Sequence, residues 1–219
     1  MGDDAALVAV VRDAVVLEGR FPLLSGVSVD LRVGSLNLLV GANGAGKTSL
    51  LRLLAGLSAL SSGSATVAGV DLVHADRREL RRRVGWLGHE GSFYDDLSVR
   101  ENLVFAARAL ERPRSDVDAV VSRTGLGPRV DTPAKHLSAG QRRRLGLAWL
   151  LLRRAQLWLL DEPYASLDDE GRTFFDALLV DVVASGTTVV LSAHDRLRSS
   201  SLAPRLLVMA GGRIVEDVA

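Results

Sequence analysis

The sequence predicts an α/β protein in which a mixed or parallel sheet is interrupted by an inserted helical subdomain. Three observations predict it. Short apolar runs at 35–40, 157–160 and 187–192 suit buried strands and are too short for helices. Between about 71 and 152 the pattern changes to Arg-rich amphipathic helices. After that stretch, strand and helix alternate again. The chain thus reads as one domain over 1–219, with a core of about 1–70 and 153–219 and a helical subdomain of about 71–152.

Taken in order, Leu7 to Leu17 and Val27 to Leu31 read as strands, and Ser35 to Val40 as a strand buried in the sheet. Leu50, Leu51, Leu53 and Leu54 supply the apolar stripe of a helix from Gly46 to Leu54. The turn Ser61-Ser62-Gly63-Ser64 leads into a strand at Ala65 to Val67, and Val84 to Leu87 reads as another. Helices follow at Val99 to Ala109, Asp116 to Ser122 and Ala139 to Leu152, separated by Gly/Pro breaks. The strand Leu157 to Leu160, the helix Asp169 to Ala184, and the strands Thr187 to Ser192 and Leu206 to Met209 complete the pattern before the Gly211-Gly212 turn. No internal repeat is visible.

Composition excludes several classes of function. The 27 basic and 26 acidic side chains leave a net charge of +1, which gives no field for a polyanion. The clusters Arg77-Arg78, Arg81-Arg82-Arg83 and Arg142-Arg143-Arg144 read as solvated helix faces, and no aromatic residues interleave with them, so no nucleic-acid partner is expected. The absence of cysteine removes disulfides, thiolate metal sites and a Cys nucleophile. No apolar run is long enough to span a bilayer, and the start lacks the basic flank and apolar core of a secretion signal. A cytoplasmic location is expected, with any membrane role exercised through a partner.

The segment Gly41-Ala42-Asn43-Gly44-Ala45-Gly46-Lys47-Thr48, followed by Ser49, fits G-x-x-x-x-G-K-[ST] between a buried strand and a helix. Glycines let the backbone turn its N–H groups inward around phosphates, and the helix start adds unpaired N–H groups and a positive dipole end. Lys47 would neutralise β- and γ-phosphates, and Thr48 would offer an oxygen to Mg²⁺. Only Lys47 and Lys135 are lysines among the cations, so a lysine inside this loop is informative. ATP and Mg²⁺ are the expected ligands.

The strand Leu157 to Leu160 ends in Asp161-Glu162-Pro163, which places two carboxylates at the strand edge where open α/β sheets bind ligands. Asp161 suits Mg²⁺ coordination, direct or through water, and Glu162 suits a base for attacking water. A pair of acids after a strand also serves as a helix-capping turn; the phosphate loop upstream favours catalysis. Leu137-Ser138-Ala139-Gly140-Gln141 opens a helix, with Ser138 at the N-cap.

The set Gly41 to Thr48, Leu137 to Gln141, Leu157 to Glu162, Ala165-Ser166-Leu167-Asp168 and His194, in this order, resembles the nucleotide-binding subunit of ATP-binding cassette transporters over nearly the whole chain. The resemblance implies an antiparallel β-subdomain at the N-terminus and a head-to-tail homodimer around two ATP molecules. Each ATP would lie between the phosphate loop of one copy and Ser138, Ala139, Gly140 and Gln141 of the other. It further implies that Asp168 lies in a loop crossing the interface, that His194 bonds the γ-phosphate, and that an integral membrane permease docks near His89 to Glu101. The chain would then be peripheral on the inner face of the cell membrane.

Departures narrow the resemblance. Ala139 stands where most relatives have Gly, and His89 stands where glutamine is usual. Both features are similar to the haem-exporting, cytochrome c maturation branch of the family. Imidazole is a poor Mg²⁺ ligand, so His89 is expected to bond water or phosphate during catalysis. The position that usually stacks on adenine is Glu18, with Phe21 nearby, so weak discrimination between ATP and GTP is expected. Competing readings are the ATPase of another exporter, or a soluble cassette ATPase of the iron-sulfur assembly type.

Overall fold

Strands read from apolar runs form the centre of a six-stranded sheet in the computed structural model, which describes residues 6–88, 93–165, 167–193 and 203–218. Before that sheet, β1 (Leu7–Glu18) and β2 (Phe21–Arg32) pair as an antiparallel hairpin. With β4 (Ser62–Val67) and β5 (Val70–Asp71) they make a four-stranded antiparallel sheet in the order β2-β1-β4-β5. β2 begins six residues before the strand read at Val27, because main-chain pairing with β1 continues where side-chain alternation has stopped.

The larger sheet uses β3 (Leu36–Val40), β6 (Val84–Leu87), β7 (Leu157–Leu160), β8 (Thr188–Ala193), β9 (Arg205–Ala210) and β10 (Arg213–Val218). Its order is β10-β9-β3-β8-β7-β6, parallel except for β10. β3 and β7 alternate between two cores: Leu39, Leu157 and Leu159 enter one, while Leu38, Val40, Trp158 and Leu160 enter the other. That double burial is why these segments are continuously apolar. β6, read from the sequence as a strand at Val84 to Leu87, is an edge strand of this sheet although it lies between helices in the chain. β10 was not expected, since it is almost wholly exposed and shows no apolar face.

The first core joins both sheets through α1 (Lys47–Leu54), whose Leu50, Leu51, Leu53 and Leu54 are buried. The second packs α6 (Asp169–Ala184), through Phe175, Leu178 and Leu179, on the opposite face of the large sheet. The third is the helical layer of α3 (Val99–Ala109), α4 (Arg114–Arg123) and α5 (Ala139–Arg153), built on Leu103, Val117, Leu145 and Leu152. α3 starts with a capping box between Ser98 and Glu101. A short α2 (Arg77–Arg83), capped by Asp76, precedes β6. Among the described residues, no helix is long and apolar enough to cross a membrane. The architecture is an α/β core with a mixed sheet and a separate antiparallel β-sheet built on the N-terminal hairpin.

Candidate active site

The loop after β3 is shaped by contacts that only glycine permits at its first position. A Cβ on Gly41 would lie 2.3 Å from the Met209 carbonyl oxygen of β9. Gly44 and Gly46 have φ of 78° and 104°, the left-handed region that glycine enters freely. The loop is tied down where Gly212 N–H donates to the Ala45 carbonyl at 3.0 Å. α1 then begins at Lys47 with no side-chain cap, so its first N–H groups stay available to an anion. Lys47 is 6 % exposed, and its ammonium donates to the carbonyls of Gly41 at 2.7 Å and Ala42 at 3.2 Å. Those bonds hold the charge inside the loop.

The second half of the site lies at the end of β7, which β8 separates from β3. Thr48 Oγ1 donates to the Asp161 carboxylate at 2.9 Å, and Ser192 Oγ donates to it at 2.6 Å. The Glu162 N–H in turn donates to Ser192 Oγ at 2.9 Å. The structure thus brings Lys47, Thr48, Asp161 and Glu162 to one edge of the sheet, at the carboxyl ends of parallel strands. A hydroxyl and a carboxylate that face each other are hard oxygen donors, a set that fits Mg²⁺ arriving with a triphosphate. Among the described residues no group of three or more His, Asp or Glu could hold a metal alone, so such an ion would draw its other ligands from phosphate and water.

The second motif stands apart. Ser138 and Gln141 form a capping box: Ser138 N–H donates to Gln141 Oε1 at 3.0 Å, and Gln141 N–H donates to Ser138 Oγ at 3.3 Å. Ser138 and Ala139 are exposed and Gly140 is partly so. They border an open cavity of about 560 Å³ with a mixed polar and apolar lining that also reaches Asp168, whose Oδ1 caps α6 by accepting from Gly171 N–H at 2.8 Å. Among the described residues, no hydrogen bond joins 138–141 to the loop at 41–48 of the same chain. His89, His194 and Ser166 lie outside the described residues.

Ser192 and the contacts of the arginines at 142–144 escaped the sequence reading. Ser192 is wholly buried and joins Asp161 to the Glu162 peptide; a hydroxyl closing the apolar run of β8 was its only signal. The arginines at 142–144 are not the solvated face expected of them. Arg142 stacks over Phe93 and bonds Asp95, Arg143 reaches the Gly88 and Glu162 carbonyls, and Arg144 lies 4.4 Å from the Phe174 ring centroid. Of the cations on α2, Arg78, Arg81 and Arg82 do remain exposed.

Glu18 ends β1 in an exposed position and Phe21, 79 % exposed, opens β2. A stacking ring reads no base edge, whereas a site built to hydrogen-bond a base rejects the wrong one by 10⁴ or more, so GTP should be hydrolysed with an efficiency within about a hundredfold of ATP. Phosphate-release kinetics with each nucleotide would check this, and a larger gap would contradict it.

A phosphate-accepting loop and helix start, whose Thr48 hydroxyl meets the Asp161 carboxylate at the end of β7, make the chain a nucleoside triphosphatase of the phosphate-loop class. The family model described as ABC transporter matches residues 24–165, and the chain belongs to that family. It is accordingly an ATP hydrolase, the ATPase subunit of a transporter. It is 40 % identical over 211 residues to the cytochrome c biogenesis ATP-binding export protein CcmA 2 of Cupriavidus metallidurans, covering 95 % of this chain and 98 % of that one. Identity to the corresponding protein CcmA of Rhodopseudomonas palustris is 42 % over 181 residues, covering 83 % and 88 %. In fold it matches a dimeric ATP-binding cassette in a post-hydrolysis state bound to ADP and Pi, with a TM-score of 0.86, 20 % identity, and coverage of 95 % of this chain and 97 % of that one.

Proposed function

We propose that two copies of this chain clasp Mg·ATP head to tail and drive a membrane permease that exports haem or a haem-linked species for c-type cytochrome assembly. The observation that carries the catalytic part is the chain of bonds Thr48–Asp161–Ser192–Glu162, which fixes a candidate base beside the phosphate loop. The names of the relatives support the cargo. The exposed Ser138–Gln141 segment, separate from the loop of its own chain, supports a site completed by a second copy.

In this reading the N–H groups of Gly44, Gly46, Lys47, Thr48 and Ser49 and the backbone around Asn43 and Ala45 cradle the phosphates, with Lys47 neutralising their charge. Thr48 and Asp161 would hold Mg²⁺, which supplies charge neutralisation at the β- and γ-phosphates when bound. Glu162 orients water and takes its proton, while Ser138, Ala139 and Gly140 of the second copy approach the terminal phosphate with Gln141 supporting them. Asp168 is assigned to the contact between copies. His194 and His89, outside the described residues, are assigned to the γ-phosphate and to water or phosphate respectively. The chain would sit on the inner face of the cell membrane.

For the permease the best-suited surface is an apolar groove of about 160 Å³ between the sheet and the helical layer, lined by Leu57, Trp86, Phe93, Trp149, Arg81 and Arg153 among others. Trp149 Nε1 and Arg153 Nε are buried with no hydrogen-bond partner among the described residues. A mainly apolar lining favours an occupant with an apolar face, which a short helix in a permease loop provides. Co-expressed with its permease, the parental chain should be recovered with membranes. The Leu57→Glu chain, changed at a half-exposed position, should be recovered mainly in the soluble fraction. Equal membrane recovery would refute the groove, and failure of the parental chain to co-purify with any integral membrane protein would favour the iron-sulfur assembly reading.

A further inference from the structure

Arg143 lies on the second turn of α5, half-buried, with its guanidinium aimed at two backbone carbonyls. Nη1 donates to Gly88 at 3.2 Å and Nη2 to Glu162 at a longer 3.4 Å. The two acceptors follow β6 and β7, neighbouring strands of the large sheet. Arginine does not lose its proton in proteins, so a guanidinium withdrawn from water must gain from the groups it holds. Burial lowers the Arg143 pKa from its ordinary value, and the charge of Asp161 opposes that shift.

The peptide that Arg143 holds is an unusual one. Glu162 has φ of 46°, a left-handed conformation that a residue with a Cβ keeps only when its surroundings impose it. Its N–H is fixed by Ser192, and its carbonyl accepts from Ala165 N–H at 3.1 Å as well as from Arg143. The direction of the Glu162 side chain follows from this conformation. We propose that Arg143 is a positioning residue for hydrolysis, which ties the Glu162 peptide and the Gly88 carbonyl to the helix that begins at Ser138. The proposal rests on the reading of Glu162 as the base. A planar fork with two separate donors suits two acceptors on different strands, whereas a lysine ammonium presents a single point of attachment.

The test is steady-state and single-turnover hydrolysis by R143M and R143K, with nucleotide affinity measured in parallel. R143M keeps an unbranched stem but no donor, and should lower kcat at least tenfold while the ATP KM and the Kd of a fluorescent ATP analogue stay within about twofold. R143K should fall between R143M and the parent. If Arg143 acts through Glu162, adding R143M to E162Q should slow single-turnover hydrolysis little beyond E162Q alone. Should R143M misfold by circular dichroism, R143K carries the same comparison. Parental kcat in these variants, loss of affinity in step with kcat, or full multiplicative loss on the E162Q background would each overturn the proposal. Parental turnover by E162Q alone would overturn the base reading instead.

Discussion

Lys47→Ala is expected to abolish nucleotide binding at concentrations that saturate the parental chain. Lys47 is nearly buried, and its ammonium is held by the Gly41 and Ala42 carbonyls, so it meets an incoming triphosphate already in place. Hydrogen bonds to charged groups contribute about 1.5–3 kcal/mol each, and alanine removes the cation that serves two phosphates, so affinity should drop by about a hundredfold or more. Titration with a fluorescent ATP analogue reads the loss directly, and circular dichroism confirms that the fold survives. Saturation at parental concentrations would mean that the loop does not use its lysine.

Glu162→Gln should leave binding intact while slowing turnover by about 10²–10⁴-fold, the usual worth of a positioned base. Glutamine matches the shape of glutamate and leaves the Glu162 peptide bonds to Ser192 and Arg143 in place, so the change is confined to the ability to take a proton. A chain that binds ATP and cannot split it should accumulate as an ATP-dependent dimer on size-exclusion chromatography. A variant hydrolysing at the parental rate would remove Glu162 from its assigned role, and one that stays monomeric with ATP would count against the two-copy site.

The parts of the site that depend on neighbouring residues in the chain were legible before any coordinates. Gly41 to Thr48 announces its loop because strand, glycines and helix follow one another directly, and Asp161 and Glu162 are read from their place after an apolar strand. Distant partners were not legible. Ser192 meets Asp161 only because β8 lies beside β7 in the sheet, and nothing in Thr187 to Ser192 marks that order. Arg143 looked like a solvated charge because the pattern around it is shared by exposed helix faces; its contacts arise from the packing of α5 against β6. β10 was missed because an exposed edge strand carries no apolar alternation, and β2 was shortened because hairpin pairing outlasts its buried face. The other five strands of the large sheet and the three helices of the middle layer were legible because each buries apolar side chains.

α5 has one end at the capping box of Ser138 and the other in the apolar groove, where Gly146, Trp149, Leu150 and Arg153 line the wall. Fifteen residues of α-helix form a rod about 22 Å long, and its only glycine beyond the first turn is wedged against Leu87 rather than free to bend. A push delivered at the groove would therefore travel along a nearly stiff beam and arrive at the other end as a shift of the same size. Timing of bond breakage in the nucleotide and mechanical load on the membrane would then be two readings of the tilt of a single helix.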